Sequence, residues 1–555
     1  MQFYFSTSKN LPKDEGVYLI QDNVEKQWGN PWDDFGHVML FAIYYIPSGM
    51  EKIRLGYVRV LCRDDSNTSS YFKKHGNDKG NGLFDVTSVL NKNSIVSLPE
   101  KIEFYQAVNK AFLTDDKIRS YLRGICDASY LVNLKATHET WDGYTGALFR
   151  DSSSNETILT RGVSIALGQY KINNELSILV NDLPDTFESI KFDFFKNGDA
   201  LIENNNINLM IGKNGLGKTY ILRHLIDILA GVSDFEKRPY INKILVIAYS
   251  PFENFKTKKD IIKELKNKYS SYLGDVTDDE KLLTVNDYEY IGFKNEDSVF
   301  DIEHPKKYSI EALKNIIKLD QEDWWKNTKR FQILRETLLT AINFTQMGVY
   351  TKDNVFIDVS DLNSQIIEIK NEDFDFKKGI VFINDEEIIE LSAGQIIFSY
   401  MIPSILSEIT DETLLVIDEP ELYLHPTLEI ELITMLKNIL KKFFSYSIIA
   451  THSAVLAREI NSVCVNVLKK QNEMTIINRP SVETYGGALD QIIGEVFDDF
   501  RTTKSYQKDI DNLIEKKGIS QDLVNSLSEN VGDEALFYLT SHLDGENDIE
   551  VEPIK

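Results

Sequence analysis

The stretch Gly212-Lys-Asn-Gly-Leu-Gly-Lys-Thr219 decides the fold, because it fits the phosphate-binding pattern G-x-x-x-x-G-K-[ST]. It follows the apolar run 207–211, which is typical of a buried strand, and it precedes a helical pattern over 220–229. The glycines let successive N–H groups point at one anion, and the helix N-terminus and Lys218 add positive charge. This order predicts a phosphate site with the Thr219 hydroxyl as a Mg²⁺ ligand. The predicted site comprises Gly212, Lys213, Asn214, Gly215, Leu216, Gly217, Lys218 and Thr219.

Length and composition indicate a globular protein outside the membrane. The chain has 555 residues, enough for roughly two to four structural units. It is 42% hydrophobic and 26% charged, as is usual for soluble proteins. No apolar run is long enough to cross a bilayer, and the first residues lack the basic start of a signal peptide. We therefore expect a cytoplasmic protein whose three cysteines, which lack metal-ligand spacing, are reduced.

The net charge of −25 argues against a surface that binds nucleic acid broadly, because phosphate contacts need a positive field. A local basic groove is still compatible with this charge. The candidates for such a groove are the lysines of 256–268 and the Lys73-Lys74 loop, although a solvated helix face and a solvated loop are the simpler interpretations of these patterns.

The N-terminal part, up to about residue 185, has the pattern of a β-rich region with one helical section. Two apolar runs, 38–46 and 53–61, are separated by Pro47-Ser-Gly49 and predict a β-hairpin. The polar, glycine-rich stretch 70–82 predicts an exposed loop. Residues 102–130 predict a helical section with an interruption near 114–116.

The segment 256–385 has a higher charge density, and helical patterns alternate there with short strands. It contains no sustained heptad pattern, which excludes a long coiled-coil arm. Trp324 and Trp325 lie among lysines and aspartates, and a packing anchor is favoured for them over a base-stacking platform. We therefore expect a compact mixed insert.

Four further features follow the insert in a fixed order. Leu391-Ser-Ala-Gly-Gln395 begins a helix with its serine as the cap. The apolar run 414–417 suits a central parallel strand, and it ends in Asp418-Glu419. Glu421-Leu-Tyr-Leu-His-Pro426 comes next, and a second apolar strand ends in Thr451-His452. An aspartate at the carboxyl end of such a strand lies where an open α/β sheet presents groups to a nucleotide.

These motifs resemble those of ATP-binding-cassette (ABC) ATPases, in the soluble branch that includes SMC, RecF and OLD-like proteins. In this resemblance 212–219 is the Walker A loop, 391–395 the signature, 414–419 Walker B, 421–426 the D-loop and His452 the switch histidine. The resemblance implies an α/β fold with an ABC-type ATPase head, formed by a P-loop sheet and an antiparallel β lobe. Each motif alone also fits a simpler role, such as a glycine turn or a helix cap, and only the ordered set favours ATP binding.

The resemblance divides the chain into four parts. Residues 1–255 hold the β-rich region and the first ATPase lobe, 256–385 the mixed helical insert, 386–490 the second lobe, and 491–555 a helical, acidic tail. About 100 residues follow His452, fewer than a nuclease domain of OLD type requires beside the rest of the lobe.

The same resemblance assigns tasks to the Walker residues. Lys218 and the loop amides neutralise phosphate oxygens of ATP, and Thr219 and Asp418 hold Mg²⁺. Glu419 polarises the attacking water, and His452 contacts the γ-phosphate. Lys218, Glu419 and His452 are therefore the implied catalytic residues.

The resemblance also implies a dimer. The signature residues Ser392, Gly394 and Gln395 close over the nucleotide of a second protomer, so two chains meet head to head around two ATP molecules. One expected group is not evident, however. The glutamine that follows the second strand of the first lobe in such ATPases is not obvious after Tyr249, and Ser250 and Glu253 are the open candidates for its position.

The N-terminal hairpin and the compact insert resemble the stand-alone ATPases of bacterial anti-phage systems, such as the Septu PtuA subunits and their retron-associated relatives. This narrower resemblance implies that the ATPase regulates a separate nuclease partner, often of HNH type, with a nucleic acid as a further possible component. Two other classes are open: a RecF-type DNA-repair ATPase that binds duplex DNA, and a scaffold in which ATP is structural. A basic groove across the dimer would favour the DNA-binding class.

Overall fold

The computed structural model describes residues 1–27, 29–149, 152–170, 176–181, 183–194, 206–233, 241–273, 287–326, 328–359, 365–497, 503–528 and 530–543. Their buried apolar side chains form four clusters. One lies in the N-terminal region, two lie on opposite faces of a central sheet, and a small one lies among C-terminal helices. No helix in these ranges combines the length and the apolar character needed to cross a bilayer.

The N-terminal region is built on a seven-stranded mixed sheet. Its strands are β1 (Phe3–Ser6), β2 (Gly16–Gln21), β3 (Leu40–Ile46), β4 (Ile53–Cys62), β5 (Asn77–Gly80), β6 (Leu83–Asp85) and β7 (Ile95–Pro99). They lie in the order β5-β6-β1-β2-β3-β4-β7; β1 and β2 are parallel, and the other neighbours are antiparallel. The predicted hairpin is confirmed by β3 and β4.

Helices accompany this sheet: α1 (Asp22–Lys26), α2 (Thr68–His75), α3 (Glu103–Phe112), α4 (Asp115–Gly124), α5 (Lys135–His138) and α6 (Ser152–Ala166), with a 3-10 turn at Val132–Leu134 and a π-helical turn at Tyr144–Leu148. The helical section predicted over 102–130 is confirmed by α3 and α4, and extended backbone at Thr114 separates them. Helix α3 buries Phe104, Tyr105 and Val108 at helical spacing, which fixes it to the N-terminal core.

The exposed loop predicted over 70–82 is wrong, because α2 extends into its first part and β5 occupies its end. The Asn67 side chain accepts a hydrogen bond from the N–H of Ser70 at 3.0 Å and so caps α2. Phe72 is fully buried in the N-terminal core. This cap and this buried ring stabilise the short helix α2. The polar composition of the segment does not predict that helix.

The central sheet begins after the hairpin β8 (Leu176–Val180) and β9 (Ile190–Phe194). Next in the chain are β10 (Ile207–Ile211), α7 (Lys218–Leu229), β11 (Lys243–Ala248), α8 (Lys258–Leu273) and β12 (Asp287–Gly292). Strand β12 pairs in parallel with β11 over its whole length. Part of the segment 256–385 therefore belongs to the central sheet.

The rest of that segment contains α9 (His304–Glu322), α10 (Arg330–Leu338), β13 (Gln346–Tyr350), β14 (Phe356–Asp358), β15 (Val381–Asn384) and β16 (Glu387–Ile388), with 3-10 turns at Gln365–Ile367 and Asn371–Asp373. The four strands form an antiparallel sheet in the order β14-β13-β15-β16. The prediction of a tryptophan packing anchor is confirmed: Trp325 packs against the N-terminal core, and Trp324 Nε1 donates to the carbonyl of Arg54 at 2.7 Å.

The chain then returns to the central sheet through α11 (Ala393–Glu408), β17 (Thr413–Asp418), a 3-10 turn (Pro420–Tyr423), α12 (Pro426–Lys442), β18 (Tyr446–Thr451), α13 (Ala454–Arg458), a 3-10 turn (Ser462–Cys464), β19 (Val465–Gln471) and β20 (Met474–Asn478). It ends in α14 (Leu489–Phe497), α15 (Ser505–Lys517), α16 (Gln521–Leu527) and α17 (Asp533–Ser541).

The strands of the central sheet lie in the order β12-β11-β17-β18-β10-β19-β20. Every neighbouring pair is parallel except β19 and β20. The predicted α/β class is therefore confirmed. Because β18 lies between β10 and β17, the segments that follow these three strands meet at one edge of the sheet, here called the carboxyl edge.

Candidate functional site

The carboxyl edge brings together the loops that the sequence analysis selected. In the register of the sheet, Ile211 lies opposite Thr451, and Ala450 lies opposite Asp418. The three strands therefore end at aligned positions. Within one or two residues of these positions lie the P-loop, the Asp418-Glu419 pair and His452. This alignment is a property of parallel pairing, since all three strands run toward the same edge.

The P-loop has a backbone shape that requires glycine. Gly215 and Gly217 have φ values of 81° and 87°, in the left-handed region that side chains rarely adopt. A Cβ at Gly217 would lie 2.5 Å from the ring of Phe187, and a Cβ at Gly212 would lie 2.7 Å from the carbonyl of Leu468. Steric contact on both sides thus holds the loop in the curled form that directs amides toward an anion.

Lys218 lies under this loop with its charge incompletely balanced. Its side chain is buried, and Nζ donates to the carbonyls of Gly212 at 2.9 Å and Lys213 at 3.3 Å. Burial lowers the pKa of Lys218, although the carboxylates of the edge oppose that shift. A bound phosphate would supply a stronger partner than two neutral carbonyls, so the lysine is preorganised for an anion.

Thr219 and Asp418 meet across the two strands. The Thr219 hydroxyl donates to Asp418 Oδ2 at 2.9 Å. Burial raises the pKa of Asp418 to about 7, and the hydrogen bond from Thr219 only partly offsets this effect. A cation bound beside this buried carboxylate would stabilise its charged form.

This donor set fits Mg²⁺, which is usually held by one or two protein oxygens together with substrate phosphates. The described residues contain no group of three His, Cys, Asp or Glu that could hold a metal ion by themselves. We infer from the chemistry of the donors that Thr219 and Asp418 would hold the ion only in combination with a nucleotide.

Glu419 has strained backbone geometry. Its φ is 47° and its ψ is 56°, a left-handed conformation that costs energy in a residue other than glycine. The Glu419 N–H donates to the carbonyl of Ala450 at 2.9 Å, which stabilises the turn. The carboxylate is only partly buried, and its Oε1 lies 3.9 Å from Nδ1 of His452.

His452 is positioned through a residue that the sequence analysis did not single out. Glu421 is buried, and its Oε1 accepts hydrogen bonds from the Thr451 hydroxyl at 2.6 Å and from the His452 N–H at 2.7 Å. The same oxygen lies 3.1 Å from His452 Nδ1. The acid three positions after Asp418 was visible in the sequence, but its partners on β18 were not.

The signature residues lie at the start of α11. The Ser392 hydroxyl accepts from the N–H of Gln395 at 3.4 Å, and the Ser392 N–H donates to Gln395 Oε1 at 2.9 Å, which makes a capping box. Gly394 packs so closely on α12 that a Cβ there would lie 2.5 Å from Leu428 Cδ1. Ser392 is exposed. No hydrogen bond or ion pair of the described residues joins 392–395 to the P-loop of the same chain.

The two open candidates for the missing glutamine differ in their surroundings. Glu253 is buried, accepts from the Tyr290 hydroxyl at 2.8 Å, and lies 3.3 Å from Lys294 Nζ. Its carboxylate is thus engaged within the fold. Ser250 is partly exposed and follows β11 by two residues, next to the end of β17.

Comparison with known proteins gives a family match that spans the site. Residues 207–458 match the family described as "AAA domain, putative AbiEii toxin, Type IV TA system". The chain is 23% identical to Protein ea59 of Escherichia phage lambda over 521 residues. The alignment covers 87% of this chain and 88% of that protein.

Two solved structures share 13–14% sequence identity with the chain. One is an inward-facing putative metal-chelate type ABC transporter, with 53% of this chain and 76% of that chain covered and a TM-score of 0.22. The other is an ATP-binding cassette of an ABC transporter in its ADP conformation, with 57% and 89% covered and a TM-score of 0.25. The family match spans the P-loop, Asp418-Glu419 and His452, and it supports a P-loop ATPase domain of AAA type over these residues.

Proposed function

Taking residues 207–458 as a P-loop ATPase domain, we propose that the chain binds ATP with Mg²⁺ at the carboxyl edge and hydrolyses it. The observation that carries the proposal is the assembly of Lys218, the Thr219–Asp418 pair and Glu419 at this edge. A polyphosphate with its cation would supply what these groups lack, namely an anion for Lys218 and a cation for Asp418.

Each residue has a defined task in this proposal. The loop amides and Lys218 bind the β- and γ-phosphates, and Thr219 and Asp418 hold Mg²⁺. The ion, when bound, neutralises charge on the phosphate oxygens. Glu419 orients the attacking water and accepts its proton, and His452 contacts the γ-phosphate.

Turnover of ATP in the presence of Mg²⁺, and its loss in EDTA, tests this assignment. We expect hydrolysis to require both the ion and Lys218. Turnover that persists in EDTA would contradict the roles of Thr219 and Asp418.

We further propose that two chains associate head to head, with each signature closing the nucleotide site of the other. The exposure of Ser392, which exchanges hydrogen bonds with Gln395 of its own helix, supports this arrangement. Ile396, Leu422 and Tyr423 are exposed apolar side chains on the segments beside the signature, which suits a surface covered in a dimer. Light scattering of Glu419→Gln should show a dimer with ATP and a monomer without it. A monomer under both conditions would overturn the arrangement.

The dimer is proposed to regulate a separate effector, an HNH-type nuclease in the cytoplasm, in the conflict between phages and bacteria. This proposal is supported by the description of the matching family, which names a toxin, and by a relative that is a phage protein. Direct binding of duplex DNA is less favoured. Lysines of the candidate basic groove pair with acids, as Lys256 does with Asp227 at 2.9 Å and Lys258 with Glu289 at 3.2 Å.

Co-purification with the proteins encoded beside it tests the regulatory proposal. We expect a nuclease to be retained, with an amount that changes between nucleotide-free protein and the ATP-bound Glu419→Gln variant. Glu473→Gln, which alters a fully exposed glutamate, is the matched control. Capture of duplex DNA alone, with steep loss on added salt, would favour the DNA-repair class instead.

A further inference from the structure

Glu421 has an unusual combination of burial and hydrogen bonding. It is 8% exposed, and one oxygen, Oε1, receives both the Thr451 hydroxyl and the His452 N–H. The other oxygen, Oε2, is buried and has no hydrogen-bond partner among the described residues. A buried carboxylate with an unpartnered oxygen is costly, so its charge requires an explanation beyond packing.

The imidazole of His452 lies beside the other oxygen of this carboxylate. Its Nδ1 lies 3.1 Å from Glu421 Oε1 and 3.9 Å from Glu419 Oε1. The carboxylate favours a proton on Nδ1, because N–H groups and not lone pairs are attracted to it. The ring is partly exposed, and with the proton on Nδ1 its Nε2 carries the lone pair.

We propose that Glu421 is a positioning residue that sets the orientation and the tautomer of His452 for contact with the γ-phosphate. The His452 N–H bond holds the backbone at the start of the loop. The Nδ1 atom is buried without a hydrogen bond, and its approach to within 3.1 Å of Glu421 Oε1 is an electrostatic contact that favours one ring orientation. This inference rests on the proposed ATPase activity and adds a residue to it.

A set of variants separates positioning from packing. Glu421→Gln keeps a carbonyl oxygen for the two donors but removes the charge. We expect kcat to fall by about 10–100-fold with KM within about threefold, the range found when a carboxylate that orients a functional histidine is lost. Adding Glu421→Gln to His452→Ala should cause no further loss, because the two residues act as a unit.

Matched controls come from the same edge. Glu429 is 7% exposed and accepts a hydrogen bond from the Ser453 hydroxyl, one residue beyond His452. Glu429→Gln makes the same chemical change at equal burial, and we expect kcat within about twofold of wild type. Thr451→Val removes one donor to Glu421 without touching the imidazole, so a loss as large as that of Glu421→Gln would assign Glu421 to packing and overturn the proposal.

The tautomer gives a readout independent of turnover. Nitrogen NMR of protein labelled at histidine should assign the neutral His452 ring as protonated on Nδ1, and Glu421→Gln should shift the proton toward Nε2. A wild-type ring protonated on Nε2 overturns the inference while leaving the ATPase assignment in place. Absence of ATP turnover in the wild type would overturn both, and turnover with additive losses in the double variant would overturn the positioning role alone.

Discussion

The two edges of the central sheet differ in how their buried charges are paired. The amino edge is the opposite edge, where the parallel strands of the sheet begin. There Lys243, at the start of β11, lies 2.6 Å from Glu408 and 3.3 Å from Asp287. Burial alone would raise the pKa of Glu408, but Lys243 and Lys258 together outweigh this effect, and the net pKa is lowered. Each charge at this edge thus has a partner that remains in place in the isolated chain.

At the carboxyl edge the acids outnumber their partners. Asp418, Glu419 and Glu421 lie near Lys218, and His452 is the other basic group beside Glu419 and Glu421. Burial raises the pKa of Asp418 to about 7. Charges are therefore paired at the amino edge of the sheet. The carboxyl edge has more acids than bases, and a ligand is expected to bring a cation there.

The largest expected effect separates the two edges by their lysines. Lys218→Ala should reduce ATP affinity by more than about 100-fold, since the buried lysine supplies a full positive charge beside the phosphates. Lys243→Ala should leave affinity within about threefold and instead lower the free energy of unfolding by about 3 kcal/mol, because Glu408 is left unpaired. Calorimetric titration with ATP and urea unfolding of both variants measure the contrast. Equal losses of affinity would remove the distinction between the edges.

A smaller effect concerns the pairing at the amino edge. Glu408→Gln should lower the free energy of unfolding at pH 7 by about 2 kcal/mol, since Lys243 keeps Asp287 as a partner. Because the folded pKa of Glu408 is lowered, its stabilisation is present above the unfolded pKa of about 4.3 and is lost as the pH falls. Urea unfolding at pH 7 and pH 3.5 checks this, and a difference that persists undiminished at pH 3.5 would contradict it.

The smallest effect has the opposite sign. Asp418→Asn should raise the free energy of unfolding of the nucleotide-free protein at pH 8 by about 1–2 kcal/mol, because it removes a buried charge. The folded pKa of Asp418 is raised to about 7, so the stabilising protonated form is present below about pH 4 and is lost as the pH rises through 7. The gain should vanish at pH 4, and the variant should lose the rise in Tm that ATP and Mg²⁺ give to wild type.

The contrast between the edges also explains what the sequence could predict. The P-loop, its strand and its helix are encoded within one local stretch, and Asp418 and His452 each end a recognisable apolar strand. Their meeting follows from parallel pairing alone. The place of β12 in the central sheet could not be predicted, because it depends on pairing with β11 across a long connection.

Tertiary register also hid the roles of two acids. Glu421 acquires its partners from β18, and Glu253 is engaged by Tyr290 and Lys294 from the strand and loop beyond it. In the sequence, both are acids in turn-like segments. An acid that is available to a ligand can be told from one that is engaged within the fold only when the neighbouring strands are placed.

Parallel measurement of ATP binding and ATP turnover in wild type, Glu419→Gln and the exposed control Glu473→Gln tests the central claim most directly. We expect Glu419→Gln to bind ATP with Mg²⁺ as tightly as wild type and to hydrolyse it about 100–1000-fold more slowly, because the acceptor of the water proton is lost. Glu473→Gln should match wild type in both. Equal turnover in Glu419→Gln and wild type would contradict the assignment of the carboxyl edge as the site of hydrolysis.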